Sequence, residues 1–200
     1  MLFHITGDFI GPTARRKSGR ARTLTAAIVA LATAWPLAVT AKAEPAAPAV
    51  PSQLQVGAAN KVFLVAHAIG VQIYSCNTSA SGFVWGFVAP RANLYDAAGK
   101  LIATHFAGPT WQARDGSSVV GRRVDGVTVD STAIPWLLLA AASTSDGFDG
   151  DRLTGTTFIQ RIATEGGLAP AAAGCDAATA GTRQEVEYTA DYVFWKATGT

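Results

Sequence analysis

Glu185 to Lys196 reads EVEYTADYVFWK, and this stretch decides the fold class. Val186, Tyr188, Ala190, Tyr192 and Phe194 fall on one side of an extended chain, and Glu187, Thr189, Asp191, Val193 and Trp195 fall on the other. Side chains alternate across a strand with a period of two, and β-branched and aromatic residues suit that conformation. The stretch is a strand, and its apolar face has to be buried against another layer.

The same pattern recurs upstream. Thr156 to Ile162 is rich in Thr, Ile and Phe, and Ile134 to Ala142 (IPWLLLAAA) is continuously apolar. Pro135 and the short length of that run favour a buried strand over a helix. Ser118 to Val124 and Val127 to Val129 flank Asp125-Gly126, a signal for a short hairpin. Asn93 to Tyr95 and Leu101 to Phe106 flank a Gly-containing loop, while Gly108-Pro109 and Asp115-Gly116 punctuate the chain beyond Phe106. Phe83 to Val88 is aromatic and β-branched, with Pro90 closing it. Val62 to Ala68 is broken by Gly70, Val71 to Cys76 alternates, and Asn77 to Gly82 (NTSASG) is a turn. Gly166 to Thr182 is an Ala/Gly-rich loop. Eight to ten short strands with frequent turn signals and no amphipathic helix predict an all-β, mainly antiparallel, single-domain β-sandwich or closed barrel. The first and last strands are expected to lie close together.

Ahead of this domain stands a different composition. Arg15, Arg16, Lys17, Arg20 and Arg22 are followed by an uncharged run from Leu24 to Thr40 and by Ala41-Lys42-Ala43. A basic start, an apolar centre and small residues at the end are the marks of a secretory leader. The run falls short of the roughly 20 residues a membrane span needs. Residues 1–43 are therefore expected to be a signal peptide, 44–53 (beginning EPAAPAVP) a Pro/Ala-rich tether, and 54–197 the β-rich domain. This places the protein outside the cytosol, periplasmic or extracellular, with no membrane span after processing.

The leader also carries the basic charge. The whole chain is formally +2, but residues 44–200 hold 10 basic and 13 acidic side chains. Nothing is left of the clustered positive footprint that nucleic acid requires. The two cysteines, Cys76 and Cys175, both lie in the processed part, and in an exported protein an even count predicts a disulfide. Neither has the local His or helix start that would make a reactive thiolate.

His105 to Gly121 (HFAGPTWQARDGSSVVG) is the densest run of chemistry-bearing residues. His105 and Asp115 are candidates for a base and its orienting acid, with Ser117 nearby. The alternative is a satisfied strand-end histidine beside an ordinary Asp-Gly-Ser turn. Trp111, flanked by turn residues, is the aromatic expected to stand exposed as a ligand platform, with Arg161 and Asp191 as polar partners. No metal site is expected: His67 and His105 are alone after the leader, with no HxH or HExxH spacing. The acidic turn at Asp146, Asp149 and Asp151 lacks the EF-hand spacing. No glycine-rich nucleotide motif is present, and no cofactor is expected.

The motifs GVQIYSC (70–76), Trp85 with Pro90, HFAGPTW with DGS (105–117), IPWLLL (134–139), FIQRIATEGGLAP (158–170) with Gly174-Cys175-Asp176, and YTADYVFW (188–195) together resemble a family of exported bacterial and fungal proteins catalogued as a domain of unknown function. Some fungal members are labelled malate dehydrogenase. The resemblance spans about residues 54–196 and implies export, a single domain and the Cys76–Cys175 bridge, but no established activity or catalytic residues. A dehydrogenase would need a dinucleotide-binding βαβ unit, and none is visible. The sequence thus predicts a domain that binds a small molecule, glycan or envelope component. The alternatives are an enzyme using His105 and Asp115, or a structural envelope protein.

Overall fold

A sheet with one apolar face must cover that face, and one solution is to curl until its two edges meet. The computed structural model, which describes Gly11 and residues 44–199, shows this solution. The expected leader lies outside the described residues. The strands are β1 Asn60–Ser79, β2 Gly82–Tyr95, β3 Leu101–Phe106, β4 Thr110–Ala113, β5 Ser118–Val127, β6 Trp136–Ser145, β7 Thr156–Gly166 and β8 Arg183–Ala197. Each pairs antiparallel with the next, and β8 returns to β1, so the sheet is a closed barrel. Sandwich or barrel is settled as barrel, and the first and last strands meet along almost their whole length, from Asn60↔Ala197 to Ser75↔Arg183. No helix of the described residues is long and apolar enough to cross a membrane.

Closure works because small residues on β1 oppose the two inward tyrosines of β8. Ala66 pairs with Tyr192, Ala68 with Ala190 and Gly70 with Tyr188. Small side chains on one strand make room for rings from the next, as a narrow barrel interior demands. The inward residues of β8 join Leu94, Ile102, Trp111, Val119, Leu139 and Ile159 in the main core. A second cluster lies on the outer face: Val62, Ile162, Val193 and Trp195, with Val50 and Val56 laid against them. This explains why the second side of β8 is also apolar near its end. Trp195 Nε1 donates to Gln160 Oε1 at 2.9 Å, and Gln160 Nε2 donates to the Leu54 carbonyl at 2.7 Å. Within the stretch expected to be a tether, Val50 packs against the barrel wall.

Cys76 and Cys175 form the predicted disulfide across 99 positions of sequence. A loop that long gives about 4–5 kcal/mol in chain-entropy terms. The bridge packs with Tyr74 and Trp85, and Trp85 Nε1 donates to the Ala171 carbonyl at 3.2 Å. These contacts hold the 167–182 loop against the barrel.

Three turn expectations are corrected. Gly70 does not break a strand: β1 runs through it, and a Cβ there would land on the Arg91 carbonyl oxygen and the Ala92 backbone. Pro90 does not end β2 either. It pairs with Gln72 on the β1 side, while β2 meets β3 only from Ala92 onward, so its missing N–H breaks no ladder on that side. Asp125-Gly126 is not a hairpin but lies inside β5, opposite Leu138 and Leu137. A two-residue hairpin of that type needs positive φ, and Gly126 is not among the positive-φ residues. Instead the ladder shifts register between Arg123 and Asp125, and a Cβ on Gly126 would press on Leu137 Cδ2 at 2.7 Å. A glycine inside a strand marks such a close approach.

Gly70→Ala is expected to lower unfolding stability by about 3 kcal/mol or more, because backbone cannot yield to the added methyl. Gly57→Ala, where nothing lies within 4 Å, should stay within about 0.5 kcal/mol. Urea denaturation of both variants checks the pair. Equal stabilities would contradict the close β1–β2 approach.

Candidate functional site

The pocket at the barrel mouth follows from the strand ends. Because β2 meets β3 only from Ala92 onward, Phe87, Val88 and Pro90 border a gap facing the Gly108-Pro109 turn. Behind the gap is a pocket of about 290 Å³. Leu137, Leu139, His105 and Trp111 are among the residues that line it. Gln72, Arg123, Arg161 and Tyr192 supply its polar groups.

His105 and Trp111 face each other across the β3–β4 ladder, so their rings stack, with centroids 4.2 Å apart and planes within 10°. Tyr192 meets both edge-on, at 5.1 and 5.3 Å. His105 is 3% exposed, and its Nδ1 lies 2.9 Å from the Thr110 carbonyl. A carbonyl only accepts, so Nδ1 carries the proton and Nε2 is left as an acceptor. Burial pushes the imidazole pKa down to about 3. The Thr110 hydrogen bond opposes this and the Arg161 charge adds to it. His105 is neutral across the physiological range.

Arg161 reaches the pocket from β7, beside a backbone irregularity between Ile162 and Glu165 where Ala163 takes φ 48°. Its Nε and Nη2 donate to the Pro135 carbonyl at 3.2 and 2.8 Å. Thr164 Oγ1 donates to the neighbouring Ile134 carbonyl at 2.6 Å. Two side chains of β7 thus anchor the segment leading into β6. The Tyr188 and Tyr192 hydroxyls lie 3.3 Å apart. Burial raises both phenols above the ordinary value; a neighbouring tyrosine adds to the rise at Tyr188, and Arg161 works against it at both.

The expected site residues divide three ways. His105, Trp111 and Arg161 come together in the pocket. Trp111 is not an exposed platform, however: it is 1% exposed, and its ring belongs to the main core. Asp191 faces outward between Ala190 and Tyr192, its carboxylate 3.0 Å from His67 Nδ1 on the barrel surface, and it is not at the pocket.

Asp115 and Ser117 sit at the β4–β5 turn, at the end of the barrel opposite the β3–β4 turn that borders the pocket. Asp115 Oδ1 accepts from Ser117 N and Oγ at 2.9 and 2.6 Å, and Oδ2 accepts from Arg152 N at 2.9 Å. Ser117 Oγ accepts from Leu153 N at 3.1 Å, and Leu153 plugs the core from that end. The anticipated His105–Asp115 pairing is not formed, since each group is engaged elsewhere. Among the described residues, no three His, Cys, Asp or Glu side chains converge as a metal cluster.

Sequence reasoning missed Gln72 and Arg123. Gln72 was findable: it shares strand parity with Ala68, Gly70 and Tyr74 on β1, which puts an amide on an otherwise apolar inner face.

Burial acts to raise the Asp115 carboxyl, but hydrogen bonds from Ser117 and Arg152 outweigh it and hold the group below the ordinary 3.8. Its contribution is therefore present above that value and lost as pH falls through the lower, folded one. Asp115→Ala should cost about 1–3 kcal/mol at neutral pH by leaving donors unsatisfied. It should cost progressively less below about pH 4, and it should leave pocket binding unchanged. Urea unfolding across pH checks this. A loss that persists undiminished in acid would contradict the assigned role.

The comparisons agree with the fold in extent. No curated protein and no solved structure matches the chain. A family described as "Protein of unknown function (DUF3455)" matches residues 57–196, which run from just before β1 almost to the end of β8. The match takes in the whole closed barrel with its pocket and its bridge, and the chain belongs to this DUF3455 family.

Proposed function

We propose that this protein is an exported, non-catalytic binding domain whose barrel mouth takes up one small, largely apolar molecule. The pocket behind the β2–β3 gap carries the proposal. It is concave, mostly apolar, and has a few polar groups converging on it, which is the make-up of small-molecule sites. Eight-stranded barrels have room for one such ligand. A pocket of about 290 Å³ suits a compact molecule better than a glycan chain. A binding role is favoured over acid/base catalysis because His105 lacks an acidic partner and Asp115 braces the opposite end. Export is supported by the leader pattern of residues 15–43 and by the Cys76–Cys175 bridge, since such bridges persist in oxidising compartments.

The form to assay is the processed chain recovered from the periplasm or medium, with Glu44 expected at its amino terminus. A thermal-shift panel of small acids, alcohols, amides and sugars should yield at least one compound that raises the unfolding temperature. Saturation at about 100 times Kd corresponds to about 2.7 kcal/mol. Val88→Trp, which fills the mouth from its rim, should abolish that shift while the unliganded protein stays folded. A panel without any shift, or one whose shift survives the plug, sinks the proposal.

A further inference from the structure

The polar groups of the pocket are unbalanced in one direction. Arg161 brings a half-buried positive charge. Among the described residues no carboxylate lies within ion-pairing distance of it, and the ion pairs present are Lys61–Glu44, His67–Asp191 and Arg91–Glu185. The Pro135 carbonyl engages Nε and Nη2, and the fork also lies close enough to the Tyr192 hydroxyl to influence it, but neither neighbour carries a negative charge and the fork has donors to spare. The ionisable groups around it supply no counter-charge: His105 is neutral, and Tyr188 and Tyr192 keep their protons. A guanidinium withdrawn from water and left unpaired is unfavourable.

Two more donors lie in the wall of the same pocket. Gln72 Nε2 and Trp111 Nε1 are buried and have no hydrogen-bond partner, although both residues border the cavity with Arg161. Gln72 faces Tyr188 closely enough to influence its hydroxyl without meeting it in hydrogen-bond geometry. Buried N–H groups are satisfied in the large majority of native proteins, so each exception calls for a cause. Here both exceptions are donors. What is missing is an acceptor with negative charge.

We infer that the molecule received here is a carboxylate on an apolar body, its oxygens held by Arg161 with Gln72 and Trp111 and its body lying along Val88, Leu137 and Leu139. This rests on the barrel mouth being a binding pocket, as proposed above. A carboxylate matches the guanidinium fork in shape and charge. A single negative charge also balances the one half-buried cation, since Arg123, the other guanidinium bordering the pocket, is exposed to water.

The test uses matched pairs: hexanoate, decanoate and phenylacetate, each against its primary amide, titrated at neutral pH and read by calorimetry. The acid of at least one pair should bind about tenfold or more tightly than its amide, the difference expected when a charged hydrogen bond is gained. In Arg161→Gln that ratio should fall to about one with amide affinity retained, and Arg161→Lys should restore part of it. Gln72→Leu should weaken the acid without lowering thermal stability, because it removes a donor that has no partner. If acids and amides bind wild type equally, or the preference survives Arg161→Gln, the anion inference falls and the pocket proposal stands. If no member of any pair binds, both fall.

Discussion

The seam between β1 and β8 is the constraint on which everything else in this molecule depends. Ala66, Ala68 and Gly70 on β1 oppose Tyr192, Ala190 and Tyr188 on β8. Only residues this small leave space for two tyrosine rings inside an eight-stranded barrel. The seam closes the sheet into a tube, and β2 stays unpaired on its β3 side only before Ala92. It also delivers the Tyr192 ring to the His105–Trp111 stack. A larger residue at Gly70 would push β2 away and, with it, the border of the pocket.

The two ends of the tube have different duties. At one end, Asp115 and Ser117 tie the β4–β5 turn to the β6–β7 loop, and Leu153 fills the bore. At the other, the Cys76–Cys175 bridge, Trp85 and the 167–182 loop make a cover. Tyr74 Oη donates to the Gly167 carbonyl at 2.7 Å. Gly167, with φ 77°, passes so near that a side chain would collide with Tyr188 and crowd Ile134 and Gln72. The pocket lies between these closures, where β2 and β3 part. Loops at one end thus carry stability, and the gap near the other carries the candidate binding chemistry.

Much of this was legible in the chain. The alternation of 185–196 assigned inward and outward faces correctly, and the bridge followed from two cysteines in a chain read as exported. Position in the tube was not legible. Asp125-Gly126 has the composition of a turn, but whether Gly makes a turn or a close approach depends on the strand that comes beside it. Gly70 was misread for the same reason. Trp111 is flanked by turn residues and still points inward, because β4 is short and ladder parity, not the turns, sets its direction. His105 and Asp115 are ten residues apart in sequence, yet β4 runs between them and sends them to opposite ends. Which residues meet is decided by closure, a long-range event that local pattern does not encode.

The ionisation of His105 reports on the closed chamber more directly than any other property. Nitrogen NMR correlations of its ring, followed from about pH 8 down to about pH 4, read both charge and tautomer. In the folded barrel the ring stays neutral throughout, with its proton on Nδ1 toward Thr110, because burial has moved its pKa to about 3. A midpoint near the ordinary 6.5, or a proton on Nε2, would mean that the β1–β8 seam does not enclose the site as described.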